Sequence, residues 1–476
     1  MNPRRGLERV TVVGGGVTAM CAAIAFARAL PDAAVALVAT PPDPAALADR
    51  LPAIDPRGMA LLARLGIGEA ALVRAGAATH RVGQRFARDG GAFAIGEGDG
   101  ITMLAGAALH QLWRAHGEDP FATLVPGAAL AAAERFVHPA DTDPLLSRVD
   151  YALRLDAARA VAVLTSAARA AGVRIVQART VAAASPSLIH VDGAPVEADL
   201  FIDANGPAAL LAAPDAAWID WSATLPADRL LLGSAPPAPS PTDSYDATGD
   251  GWTARWPLAA RTITGFAYAE AVTPHARARR LFKGEAERIV VAPRRQATPF
   301  AGTVLALGDA AAALGPFGWL GLPLTLAQLE IALELMPARG DGPQLAAEYN
   351  RRAGLAADHM HAYAAAWYLA GQGRAGSFWH PLRRRAGPPE LDRALEQFAR
   401  RGTLPPVEEA MIPRSTWQQM LIGLGIRPAR VDPIAASVPH ASAVAALTQL
   451  RQAIEALPAR LPPYPHYLDR MMQAAR

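Results

Sequence analysis

Apolar and polar positions fall along the chain in blocks that predict a nucleotide-binding α/β fold. Arg9–Val13 (RVTVV) is a short β-branched run, the composition of a buried parallel strand. It leads into Gly14-Gly15-Gly16-Val17-Thr18-Ala19 and then an alanine-rich apolar helix to about Leu30, stopped by Pro31-Asp32. Residues 35–38 supply a second strand. Further on, the pattern predicts a helix over 156–171, a strand over 173–177 and another over 197–205 (EADLFIDAN), closing on Gly206. Residues 303–307 (TVLAL) form an apolar strand ending in Gly308-Asp309-Ala310-Ala311. A helix then runs through Met336, with Pro323 in its first turn and Gln328, Glu330 and Glu334 punctuating an apolar face. Near the C-terminus, 441–457 is amphipathic enough to dock on the body of the protein or on a second subunit, which leaves a homodimer open.

Composition narrows the class. The chain has 476 residues, 51% hydrophobic and 19% charged, too long for one ordinary domain and too apolar for disorder. Its 46 basic and 43 acidic side chains nearly balance, so the basic stripe of a nucleic-acid binder is not expected. Lys283 is the only lysine; the other 45 basic residues are arginines. Cys21 stands alone, which excludes an intramolecular disulfide and a cysteine-only zinc site. Arg4-Arg5 before an apolar stretch resembles a secretory signal, but Gly14 to Gly16 break the run and no cleavage signature follows. No segment reaches the ~18 uninterrupted apolar residues of a membrane span. A soluble, cytoplasmic chain with no nucleic-acid or membrane partner is expected.

Two motifs carry cofactor chemistry. In the G-x-G-x-x-A turn after Val13, Gly14 permits the tight bend, Gly16 lets the backbone approach a pyrophosphate and Ala19 lets helix and strand pack closely. The helix start at Val17 and Thr18 offers free N–H groups to phosphate. The acidic residue that would hold the ribose is replaced by Ala39. Thr40 offers only a weak hydrogen bond, and Asp43 substitutes if its loop folds back. The second motif is strand, Gly308-Asp309, loop and helix. In two-part FAD folds such an aspartate bonds the ribityl chain, and a helix start such as Gly321-Leu322 faces the isoalloxazine, where its dipole favours negative charge. Together they imply FAD; the bland alternative is a core strand ending in a solvated aspartate.

Over roughly residues 9–435 the sequence resembles the flavin-dependent tryptophan halogenases. The likeness rests on Leu65-Gly66-Ile67-Gly68-Glu69-Ala70, Ala78-Thr79-His80-Arg81-Val82-Gly83, the LRLDAA run at 153–158, Leu225-Pro226-Ala227-Asp228-Arg229, Gly251-Trp252 through Pro257-Leu258 with Arg261 and Gly265, and Ser415-Thr416-Trp417 through Gly425. The resemblance implies a two-lobed α/β fold. Its Rossmann-like FAD lobe would comprise 1–60, 148–212 and 296–345, with an inserted β-sheet substrate lobe at 61–147 and 213–295 and a helical C-terminal region at 346–476. In that family reduced FAD and oxygen turn a halide into hypohalous acid, which travels to an aromatic, often indole-like, substrate. A separate reductase reduces the flavin, and a lysine and a glutamate position or activate the halogen.

Against that pattern, Arg81 occupies the lysine position, Gly318 the glutamate position and Trp319 the neighbouring serine. Arginine stays protonated, so it donates hydrogen bonds but cannot act as a free amine. The backbone N–H groups of Leu320 and Gly321, which would hold a halide, need no side chain. Trp252 is retained, whereas the second tryptophan is Ala254 and an isoleucine is Trp256. The loop 316–322 also looks like that of single-component flavin hydroxylases. Three activities therefore stay open: a halogenase-like oxidoreductase working through Arg81, Trp252, Trp256 and Gly318; an aromatic monooxygenase; or a flavin-binding relative that does not halogenate. Trp252, Trp256, Phe317 and Trp319 could line an aromatic pocket or simply fill core. Strand alternation turns His80 away from Arg81. His359-x-His361 reads as a solvated helix face rather than a metal site.

Overall fold

The computed structural model describes residues 6–473, apart from 90, 99, 186, 339–342 and 371–374. The chain divides into two compact units. The first comprises Met1–Ala78, Arg154–Leu225 and Ile289–His361; the second comprises Thr79–Leu153, Pro226–Arg288 and Ala362–Arg476.

The first unit is built on a six-stranded sheet. Its order is Arg174–Gln177, Ala34–Ala39, Arg9–Val13, Leu200–Asp203, Val304–Ala306 and Phe300–Ala301, parallel throughout except for the last strand. Val10, Val12, Leu37, Phe201, Ile202 and Leu305 are sealed from solvent, as the unbroken apolar runs require when helices cover both faces. Chain order reverses beside Arg9–Val13, so the carboxyl ends of these strands open a crevice of the kind where such sheets bind ligands. The helix Val17–Ala29 leaves the first strand with its first ten residues buried. The helix Ala157–Ala170 makes the crossover, with Asp156 as N-cap accepting from the Arg159 amide at 3.4 Å. The last helix of the motif spans Gly321–Leu335, ending one residue short of Met336. A three-stranded meander, Val181–Ser185, Leu188–Val191 and Ala194–Glu197, escaped the sequence pattern. Its first strand is mostly exposed, so it carries little apolar alternation to read.

One expectation is overturned here. His359 and His361 do not form a solvated face; each is 5% exposed. His361 stacks on Trp221 at 4.4 Å and meets Thr224 Oγ1 at 2.6 Å. Burial and the nearby Arg295 push its pKa down to about 3, so it is neutral. Tertiary packing supplies an apolar partner that helix periodicity alone does not reveal.

The second unit is dominated by a seven-stranded sheet ordered Ala286–Val290, Arg229–Ala235, Thr262–Tyr268, Gly251–Pro257, Thr242–Thr248, Gly83–Arg88 and Gly91–Gly96. From Arg229–Ala235 onward neighbouring strands pair antiparallel, save Thr242–Thr248 with Gly83–Arg88, which pair parallel. Strand alternation puts Asp243 and Tyr245 on one strand, and Trp252, Ala254 and Trp256 on the next, among buried positions. The helix His440–Glu455 docks within this unit. Its Ala443, Leu447, Leu450 and Ile454 join Leu112 and Trp113 of the helix Leu109–His116 in one apolar cluster. Among the described residues, no helix is long and apolar enough to cross a membrane.

Candidate functional site

In the first unit, the glycine turn has the geometry its sequence demands. Gly14 has φ +145°, and a Cβ there would strike the Ala204 carbonyl and come within 3.0 Å of the Ala19 Cβ. Both residues must therefore be small. A Cβ on Gly16 would run into the carboxylate of Asp49, whose Oδ1 accepts a hydrogen bond from the Thr18 amide at 2.8 Å. The first turn of the helix thus already faces an anion, contributed by the short helix Leu47–Arg50. Val13 and Val17 are buried beside it. Thr40 hydrogen-bonds Asn205 through its hydroxyl, and Asp43 accepts from the Ala45 amide at 2.8 Å.

Gly308 has φ +62°, and a Cβ there would lie 3.0 Å from the side chains of Thr18 and Thr325. This brings the early and late motifs together. Asp309 is 4% exposed and its Oδ2 accepts from the Ala48 amide at 2.7 Å. Burial raises its pKa to about 8, helped by the charges of Asp49 and Asp43. Asp49 is raised by the same burial to about 6, with hydrogen bonds from Thr18 and Val17 opposing. Three carboxyl groups thus crowd one crevice. Asp49 was missed by sequence reasoning; its only signal was an acid within an apolar AALAD run.

The loop before the last helix is tightly wound. Gly315, Gly318 and Trp319 have φ of +80°, +70° and +57°, a conformation that glycine takes freely and tryptophan does not. Position 318 therefore suits glycine for backbone reasons. Phe317 and Trp319 are 1% and 2% exposed. Among the described residues, the Leu320 and Gly321 N–H groups have no backbone partner, and Leu322 is buried below them.

In the second unit, Arg81 ends the strand Ala78–Arg81 and is 5% exposed. Its Nε donates to Glu97 Oε1 at 2.7 Å and its Nη1 to Asp243 Oδ2 at 3.2 Å. The two carboxylates hold the guanidinium above its ordinary pKa against the cost of burial. Glu97 and Asp243 were not anticipated. The readable signal for Asp243 was an acid two residues from Tyr245 in TDSYDAT, on the inward period of the strand. Trp252 Nε1 donates to the Tyr368 hydroxyl at 3.1 Å, and Trp256 Nε1 to that of Tyr245 at 3.2 Å. A Cβ on Gly265 would lie 2.8 Å from the Trp256 ring, so this indole lies over the glycine. Phe317 and Trp319 belong to the first unit, Trp252 and Trp256 to the second. His80 takes surroundings different from its neighbour's. It stacks on Phe136 at 4.2 Å, and the Tyr464 hydroxyl accepts its backbone N–H at 2.7 Å.

The family model for tryptophan halogenases matches residues 9–440. The chain belongs to the tryptophan halogenase family. This makes it a flavin-dependent enzyme by descent, with the family's fold. Its structure superposes on BrvH, a flavin-dependent halogenase from Brevundimonas sp. BAL3, with a TM-score of 0.89 at 24% identity, covering 98% of this chain and 99% of that one. It matches Xcc4156, a flavin-dependent halogenase from Xanthomonas campestris, equally well (0.89, 26% identity, 98% and 99% covered). It is also similar to SttH, a tryptophan 6-halogenase from Streptomyces toxytricini (0.86, 23% identity, 98% and 100% covered). No curated protein matches the sequence.

Proposed function

We propose that this member of the tryptophan halogenase family binds FAD, receives electrons from a separate flavin reductase and uses oxygen to halogenate an aromatic, indole-like small molecule. The residues of the first unit suit the cofactor. Gly14 is packed too closely against Ala204 and Ala19, and Gly308 against Thr18 and Thr325, for either to carry a side chain, and Asp309 is a buried carboxyl held by the Ala48 and Leu47 amides. Gly14 would let the backbone approach the pyrophosphate, Thr40 would face the adenosine side and Asp309 the ribityl hydroxyls, while the Val17 and Thr18 amides beside Gly16 are taken by Asp49. Bound FAD, once reduced, supplies the electrons that activate oxygen.

The remaining work falls to the chain. The N–H groups of Leu320 and Gly321, at the start of a 15-residue helix, suit a halide. Trp252 and Trp256, both fully buried with their indole N–H groups satisfied, are fixed walls rather than mobile ones. The observation that carries the reading is Arg81. It stands at the family's lysine position, locked by Glu97 and Asp243, with one end of its fork still uncommitted.

An aromatic monooxygenase is the second reading. It is favoured by the φ of +70° at Gly318, which leaves that loop without a carboxylate. One assay separates the two. Purified protein with FAD, reductase, NADH, bromide and indole or tryptophan yields brominated product under the first reading. Oxygenated product supports the second, and hydrogen peroxide alone refutes both.

A further inference from the structure

Arg81 sits in a charge cluster whose two open atoms differ in kind. Nε and Nη1 are committed to Glu97 Oε1 and Asp243 Oδ2. Among the described residues, Arg81 Nη2 and Glu97 Oε2 have no hydrogen-bond partner, while their side chains keep 6% and 14% exposure. A donor and an acceptor, joined through one ion pair, are thus left open in a nearly buried place. Neither atom is among the sealed, unpartnered polar atoms of the described residues, so both keep some contact with solvent and stay open to a ligand.

Substitution on an aromatic ring must also dispose of the ring proton. Arginine cannot take it, position 318 carries no side chain, and Lys283 is exposed. We propose that Glu97 is the general acid–base of this site, with Arg81 Nη2 holding the oxygen of hypohalous acid. This rests on the halogenating reading above. The ring carbon takes the halogen while Arg81 Nη2 holds the oxygen: the carbon–halogen bond forms and the halogen–oxygen bond breaks with its electron pair on oxygen. The Glu97 carboxylate accepts the ring proton and passes it to that oxygen, so water leaves and the carboxylate is ready again. Aromatic C–H and HOX become C–X and water, so atoms and charge balance.

The surroundings suit a carboxylate that takes up a proton more readily than an ordinary glutamate. Burial raises the Glu97 pKa, the Asp243 and Asp150 charges add to this, and Arg81 opposes it. Tyr363 faces both Glu97 and Arg81, and Tyr245 faces Asp243 and Arg81; burial holds both phenols far above their ordinary range, so they stay neutral.

The test uses the full chain with FAD, reductase, NADH, bromide and either indole or indole deuterated at the reacting carbon. Glu97→Gln should lower bromination by roughly 10²-fold or more and expose a primary isotope effect that the wild type lacks. Glu97→Asp, which keeps the carboxyl, should recover part of the rate, and FAD titration should be unchanged in both. Bromination by Glu97→Gln at the wild-type rate overturns the assignment. A wild type that brominates nothing sinks the halogenating reading instead, and the carboxyl is then judged by infrared difference spectroscopy. A protonated-carboxyl band that Glu97→Gln removes, appearing on acidification at a pH above the ordinary glutamate range, supports the proton-accepting role; one that appears only within the ordinary range overturns it.

Discussion

Replacing Asp309 with asparagine should stabilise the cofactor-free protein and weaken its hold on FAD. The side chain is 4% exposed, its neighbours include two further carboxyl groups, and its pKa stands at about 8 rather than 3.8. The folded state therefore binds this proton more tightly than the unfolded chain. Its stabilising effect is complete below about pH 4 and is lost as pH rises to about 8. Each tenfold difference in proton affinity is worth about 1.4 kcal/mol, so ionisation of the unfolded chain costs the fold up to ~4 kcal/mol at about pH 7. Relaxation and water entry reduce this to roughly 2 kcal/mol or more. Asparagine keeps a carbonyl oxygen for the Ala48 amide and carries no charge. At about 2–4 °C per kcal/mol for a domain of 150–250 residues, apo Tm near pH 8 should rise by roughly 5–10 °C, with little change near pH 4. Thermal melts across this range by circular dichroism, without FAD, measure it. The reasoning fails if Asp309→Asn lowers Tm at pH 8, or shifts it equally at both ends.

Other substitutions probe separate parts of the account. Gly14→Val should abolish FAD uptake in calorimetry, because a side chain there meets the Ala204 carbonyl and forces the turn open; uptake like the wild type's would contradict the tight turn. Gly318→Glu restores a carboxylate in composition only. The φ of +70° strains any side chain by about 1–3 kcal/mol, so Tm should fall and bromination should not rise. Trp256→Ala should cost roughly 3–5 kcal/mol in urea unfolding of the second unit, since the buried indole fills the space over Gly265; a loss under 1 kcal/mol would mean the space collapses.

Much of the first unit was legible because its signals are local. Strand, glycine turn and helix follow one another within 30 residues, and each small residue answers to one steric demand, as Gly14 and Ala19 illustrate. The late Gly308-Asp309 motif was equally readable, and the structure brings Gly308 beside Thr18. What escaped was set by long-range pairing. Asp49 reaches the helix start from 31 positions away, and Asp243 reaches Arg81 from 162 away. No spacing rule connects such residues. Period-2 alternation could have flagged Asp243 as inward, but nothing in the sequence named Arg81 as its partner. His361 went astray for a related reason: the helix pattern gives its face, while Trp221 decides whether that face is wet.

The most direct test of the central claim is calorimetric titration of the full chain with oxidised and with reduced FAD. Saturable one-to-one binding that Gly14→Val abolishes and Asp309→Asn weakens is the predicted result. Well-folded protein that takes up neither form would contradict the account from its first step.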